Sequence, residues 1–212
     1  MIAIIDYGMG NLRSVQKGLE CVGITASITG DPGEAVQASG VILPGVGAFE
    51  DAIANLKNTG MVDAVREVVR QDRPLLGICL GMQLLFTESE ENGRHGGLDL
   101  IPGRVVRFPV TKKVPHMGWN QVRMVGDSPL FSGLPDQSYF YFVHSYYCDP
   151  HLPVSVGICE YGLDFTCAVQ RGNLFGCQFH PEKSSRLGLQ ILKNFGDLCS
   201  GPTASERHGR AC

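Results

Sequence analysis

Apolar residues in this chain fall in short runs separated by glycine-rich turns, and the runs follow two different periods. Met1 to Ile5 is unbroken apolar until Asp6, the pattern of a strand buried on both faces. From Leu12 to Cys21 the period changes. Val15, Leu19 and then Val22 recur at helical spacing, with Asn11 near the cap position. Ile24 to Ile28 and Gly40 to Leu43 read as a second and a third strand, and Ala48 to Leu56 and Gly60 to Arg70 as helices. Pro74 to Ile78 reads as a fourth strand, and Met82 to Phe86 as the helix that leaves it. Strands alternating with helices predict an α/β domain with a doubly wound, mostly parallel sheet and helices on both faces.

From about Gly93 the texture changes. Arg104 to Val110, Trp119 to Val125, Ser138 to Tyr147, Val154 to Glu160, Phe165 to Arg171 and Leu174 to Phe179 are short strand-like runs with turns between them. They predict an antiparallel extension of the sheet. A helix from about Ser184 to Cys199 follows, with Leu187, Ile191, Leu192 and Phe195 at helical spacing. No linker divides the chain, so residues 1–199 are expected to form one domain. Residues 200–212, rich in Gly, Ser and charge, are expected to be a loose tail.

Composition narrows the function classes. The 212 residues are 43% hydrophobic and 18% charged, enough apolar material for one sizeable core. No apolar run approaches the roughly 18 residues of a membrane span, and the N-terminal run lacks the basic start of a signal peptide. The net charge of −3 with no basic stripe argues against nucleic acid or an anionic membrane as partner. The eight cysteines are scattered with no C-x-x-C pair, so neither a disulfide framework nor a zinc site is expected. That usage suits a reducing cytoplasm. Gly8-x-Gly10 follows a strand, but Arg13 stands where a dinucleotide fingerprint needs its third glycine.

The chemistry concentrates at Gly77-Ile78-Cys79-Leu80-Gly81. This is a G-x-nucleophile-x-G elbow with Cys as the nucleophile. The strand-to-helix turn lifts Cys79 out of the packed interior, the helix N-terminus favours its thiolate, and the Leu80 N–H can face a developing oxyanion. A buried structural cysteine in a turn is the bland alternative. A cysteine nucleophile needs a base. His95 and His208 lie in polar stretches, His151 in a Pro-flanked turn, and His116 and His144 in apolar company that suits a structural role. His180 ends the run Leu174 to Phe179 and is followed by Pro181-Glu182. Pro181 keeps His180 extended, and residues i and i+2 of an extended chain share a side, so Glu182 can hold the His180 ring. Gln83 lies one helical turn past Cys79 on the same face. Gly45-Val46-Gly47 ends the third strand, at the edge where open α/β sheets bind ligands, although it also suits a plain tight turn.

GICLGMQ together with FHPE resembles the class I (triad) glutamine amidotransferases, whose fold is flavodoxin-like. DYGMGNLRSV, PGVGAFEDA, PHMGWN and YFVHSYY are similar to the branch of glutaminase subunits that serve imidazole glycerol phosphate synthesis in histidine biosynthesis. The resemblance implies a catalytic triad of Cys79, His180 and Glu182 that hydrolyses glutamine through a thioester, with no cofactor and no metal. It implies an oxyanion site at Leu80, Val46 and Gly47, and substrate contacts at Gly45, Gln83, Glu91, Ser145 and Tyr146. It implies a separate (β/α)₈ cyclase subunit as partner in a heterodimer, met at or near Trp119, Tyr141 and Lys183. Val46, β-branched between two glycines, suggests a loop that pivots when partner and acceptor bind. A stand-alone cysteine hydrolase, a non-catalytic binding module, and an amidotransferase with another acceptor are the competing readings.

Overall fold

The structure is a computed structural model and describes residues 1–109 and 113–201. Strands β1 (Ile2–Ile5), β2 (Ala26–Thr29), β3 (Gly40–Gly45) and β4 (Leu75–Cys79) pair in parallel in the order β2-β1-β3-β4. Helices α1 (Leu12–Cys21), α2 (Pro32–Gln37), α3 (Phe49–Asn58), α4 (Met61–Arg70) and α5 (Leu80–Leu84) alternate with them. Successive strand residues feed two cores. Ala3, Ile5, Val41 and Leu43 pack under α2 to α4, while Ile2, Ile4, Ile42, Leu76 and Ile78 pack with Val15, Leu19, Ile191 and Leu192 on the other face. A strand buried on both sides has no polar face to show, which is why the runs are unbroken.

Beyond α5 come β5 (Phe86–Ser89), β6 (His95–Gly96), β7 (Ile101–Arg107), β8 (His116–Met124), β9 (Ser138–His144), β10 (Tyr146–Pro150), β11 (Ser155–Glu160), β12 (Asp164–Arg171) and β13 (Leu174–Cys177). A 3₁₀ turn at Pro181–Lys183 leads into α6 (Ser185–Ser200). β13 returns to the centre, parallel to β4, and antiparallel β12, then β10 and β7, extend the sheet from it. β8 and β9 form a long hairpin attached through β11. The expected mostly parallel sheet with an antiparallel extension is what the chain builds.

Four local expectations change. The pattern does not predict α2, which Asp31 caps by accepting from the Glu34 N–H with Pro32 at its first position. The helix read at Met82 to Phe86 is instead Leu80–Leu84. Chain 97–101 takes the carbonyls of Leu84, Leu85, Phe86 and Thr87 as acceptors, and Phe86 opens β5. The run Ser138 to Tyr147 is two strands, because Ser145 is where the chain leaves its pairing with β8 and joins β7. Asn11 stands at the start of α1, but its Oδ1 accepts from the Ser14 hydroxyl and makes no cap bond to the backbone. The tail residues 202–212, including His208, lie outside the described residues, as does the end of the run read to Val110.

Candidate active site

Cys79 is the last residue of β4 and the first boundary residue of α5, with φ 56° and ψ −113°. That backbone is strained for any residue with a Cβ, at a cost of roughly 1–3 kcal/mol held by the surrounding packing. The flanking glycines explain how the elbow closes. A Cβ on Gly77 would stand 2.7 Å from the Gly81 carbonyl oxygen, and one on Gly81 would run into the carbonyl of Leu43. The strand register then assembles the neighbours. Gly45 of β3 pairs with Cys79 on one side, and Cys177 of β13 pairs with Ile78 on the other, bringing the chain at 178–180 alongside the elbow.

His180 is buried and extended at φ −97° and ψ 98°. Its Nδ1 lies 2.8 Å from Glu182 Oε1, and the Glu182 side chain has no exposed surface. Glu182 does not reach His180 along extended chain; it sits in the middle of the 3₁₀ turn Pro181–Lys183, which folds it back under the ring. Burial opposes the imidazolium, but the nearness of Cys79 and the Nδ1 hydrogen bond to Glu182 outweigh it and raise the His180 pKa to about 10. The other ring nitrogen, Nε2, is buried and has no hydrogen bond among the described residues. The Cys79 sulfur lies instead 3.9 Å from the Val143 carbonyl oxygen and 3.7 Å from the Gln178 amide nitrogen.

Cys79 and His180 open onto a cavity of about 330 Å³. Val46, Gly47, Leu80, Gln83, Glu91, Ser145 and Tyr146 line it with them, so most of the expected site residues converge there. Gly45 does not line it. It lies beneath the loop, where a Cβ would meet Tyr7 Oη at 2.8 Å and Gly81 N at 2.9 Å. Glu91 is not a solvated helix end. Its carboxylate accepts from the Phe49 N–H at 2.8 Å, tying it to the start of α3 beyond the 45–47 loop. Gly47 takes φ 100° and Val46 is exposed.

Three buried polar residues here are absent from the sequence-based site. The Tyr7 hydroxyl donates to the Pro44 carbonyl and braces the loop. His144 lines the cavity, its Nδ1 2.8 Å from the Tyr146 carbonyl. Gln178 is fully buried beside Cys79. A lone Gln inside the apolar run LFGCQF is the sequence signal that marks it, since a buried amide needs partners.

The residues expected near a partner share one surface. Trp119 and Tyr141 face each other across β8 and β9, with ring centroids 6.2 Å apart. Trp119 is 52% exposed, so it is not a core residue, and Met117 and Tyr139 on the same hairpin are also exposed. Tyr141 binds the 3₁₀ turn through its backbone: its N–H donates to Ser184 Oγ and its carbonyl accepts from the His180 N–H. Lys183 is exposed on that turn.

Comparison with known proteins agrees with this geometry. Residues 3–198 match the family model described as glutamine amidotransferase class-I. The imidazole glycerol phosphate synthase subunit HisH of Moorella thermoacetica is 63% identical over 198 residues, covering 93% of this chain and 94% of that one. The subunit of the same name from Methanosarcina acetivorans is 55% identical, covering 93% and 98%. A crystal structure of a glutamine amidotransferase shares the fold with a TM-score of 0.75 at 19% identity, covering 95% of this chain and all of that one. The chain therefore belongs to the class-I glutamine amidotransferase family, and within it to the group of the HisH subunits.

Proposed function

We propose that this chain is the glutaminase subunit of an imidazole glycerol phosphate synthase, releasing ammonia from glutamine for a separate cyclase subunit. The observation that carries the reading is the convergence of Cys79 and His180, the latter held by Glu182, on one cavity of about 330 Å³, within a chain 63% identical to a HisH subunit. Cys79 attacks the carboxamide carbon and forms a γ-glutamyl thioester. His180, held by Glu182, protonates the leaving ammonia and then takes a proton from the water that hydrolyses the thioester. The N–H groups of Leu80 and of the Val46–Gly47 loop receive the tetrahedral oxyanion, and losing one such donor typically costs about 3–4 kcal/mol of barrier. Gln83, Glu91, Ser145 and Tyr146 hold the amino-acid end of glutamine. Glu91 matches its ammonium by charge.

The acceptor reaction is assigned to a second chain, in line with the subunit names of the relatives. The exposed apolar face with Met117, Trp119 and Tyr139, together with Tyr141 and Lys183, is where a (β/α)₈ cyclase would dock. The Val46–Gly47 loop adjoins the cavity and swings its N–H inward when partner and acceptor are bound. The seven described cysteines are all free thiols, in keeping with a reducing cytoplasmic setting.

The test is ammonia release from glutamine, measured for the chain alone and with the cyclase subunit and its nucleotide ligand. Slow release alone, a large rise in the loaded complex and loss in Cys79→Ala support the whole reading. Equal rates alone and in complex would remove the gating. No release in either state would remove the activity.

A further inference from the structure

Gln178 touches both the nucleophile and the residue placed to read the substrate. Its Nε2 lies 3.7 Å from Cys79 Sγ, and its Oε1 lies 3.0 Å from Gln83 Nε2. The same Gln83 nitrogen lies 3.0 Å from the Tyr146 carbonyl oxygen, which also receives His144 Nδ1 at 2.8 Å. His144 Nε2 is 2.9 Å from His116 Nδ1, and His116 Nε2 is 3.2 Å from Asn120 Nδ2, which also donates to the Glu160 carbonyl at 2.9 Å. One hydrogen-bonded chain thus runs from the sulfur to β8.

A single atom sets the direction of every bond in it. A carbonyl oxygen only accepts, so Gln83 must present its NH₂ to Tyr146, and His144 must carry its proton on Nδ1. Gln83 then donates its second N–H to Gln178, which must present Oε1 there and its own NH₂ to the sulfur. On the other arm His144 Nε2 is a bare lone pair. It accepts from His116 Nδ1–H, and His116 Nε2 accepts from Asn120. Both N–H bonds of Gln83 are used inside the protein, so Oε1 is what Gln83 has left to offer a ligand.

Resting on the reading of Cys79 as the glutaminase nucleophile, we infer that Gln178 is a positioning residue for this reaction. Its N–H holds the Cys79 sulfur, and its carbonyl oxygen fixes Gln83 with Oε1 free for the substrate. The Tyr146 carbonyl and the His144–His116 pair lock that orientation. Nucleophile and substrate reader are thereby held by the two ends of one amide.

Two substitutions separate the ends. Gln178→Glu keeps an acceptor for Gln83 but turns a carboxylate oxygen toward the sulfur. Gln178→Met removes both contacts at nearly equal volume. Cys79 reactivity is read without any substrate, as its rate of modification by iodoacetamide followed by peptide mass spectrometry, with exposed Cys21 as internal reference. Kinetic constants for glutamine are read in the complex with the cyclase subunit. The thiolate is the form that reacts, so losing a hydrogen bond that stabilises it predicts slower modification of Cys79 and a lower kcat in both variants, by about 10- to 100-fold. KM rises only in Gln178→Met. Modification of Cys79 within twofold of wild type in a folded variant overturns the proposal, as does an equal KM change in the two. If the unsubstituted complex hydrolyses no glutamine, the functional reading fails by itself, and the iodoacetamide rates still decide the Gln178–sulfur contact.

Discussion

His144 and His180 line the same cavity and are almost equally buried, with 6% and 2% of their surface exposed, yet they hold protons in opposite ways. Each places Nδ1 2.8 Å from an oxygen. For His180 that oxygen belongs to the Glu182 carboxylate, and against burial the nearby Cys79 and Glu182 together raise the pKa to about 10. For His144 it belongs to the Tyr146 carbonyl. Burial dominates there, with the neighbouring His116 and His180 adding to it, and the pKa falls to about 3. Burial alone neutralises an imidazole, and acidic partners on both sides of the ring reverse the outcome where a carbonyl dipole does not. One histidine is thereby equipped to move protons and the other to stay a fixed donor and acceptor.

Glu182→Gln turns the first kind of site into the second, and it carries the largest expected effect. With only an amide at Nδ1, burial disfavours the imidazolium, and the ring loses both its charge partner and its orienting acceptor. We expect kcat for glutamine hydrolysis in the complex to fall by about 10²- to 10⁴-fold with KM little changed. A loss under tenfold in steady-state assays would mean that the carboxylate does not set the state of His180.

The two sites also bound stability from opposite sides of neutrality. The His180 pKa is raised above the unfolded value of about 6.5, so its contribution is complete below that pH and is lost as pH climbs toward about 10. His144 and His116 are depressed, to about 3 and about 4, both by burial first. Between pH 6.5 and those values the unfolded rings bind protons that the folded ones refuse, so stability is intact above 6.5 and lost below it. His144 alone is worth about 3 kcal/mol by pH 4. His144→Gln can keep both hydrogen bonds without titrating, so urea unfolding from pH 8 to 4 should give it a flatter acid limb. Parallel wild-type and variant curves would show that His144 is not the group responsible.

The same contrast explains what could be read in advance. Cys79, His180 and Glu182 are marked by local syntax, a glycine-flanked elbow and a Pro-fixed turn, and β1 to β4 by runs that bury both faces. The His144–Tyr146–Gln83–Gln178 chain joins residues 63 and 95 positions apart, through contacts that exist only once β10 and β13 are in the sheet. No period or spacing records such a contact. The break at Ser145 was hidden for the same reason, since apolar alternation continues while the partner strand changes. The helix α2 is too short for a period to emerge, and only its Asp31-Pro32 start announces it.

Asn120 closes the neutral chain, and its removal tests that arm alone. Asn120→Ala strips the donor from His116 Nε2 inside an aromatic cluster where Tyr161 and Phe142 stack on the ring. An unsatisfied buried acceptor costs about 1–3 kcal/mol, so the free energy of chemical unfolding at pH 7.5 should drop by that much. Catalysis should change less than in Glu182→Gln, because His180 keeps its partner. A larger loss of kcat than of stability would place Asn120 in the reaction itself.

The smallest effect belongs to a third histidine, whose carboxylate neighbour lies largely in solvent. His95 Nε2 lies 3.8 Å from Glu50 Oε2, with the Glu50 side chain 62% exposed. The residue types are those of the His180–Glu182 pair, but here water reaches the carboxylate, although His95 Nε2 is buried, and the separation exceeds a hydrogen bond. Glu50→Gln should therefore shift the unfolding free energy by under about 0.5 kcal/mol and leave the glutamine kinetics within twofold. A loss of kcat approaching that of Glu182→Gln would mean that the pairing of histidine with carboxylate, and not its burial, decides the energetics, and the contrast between His144 and His180 would then need another cause.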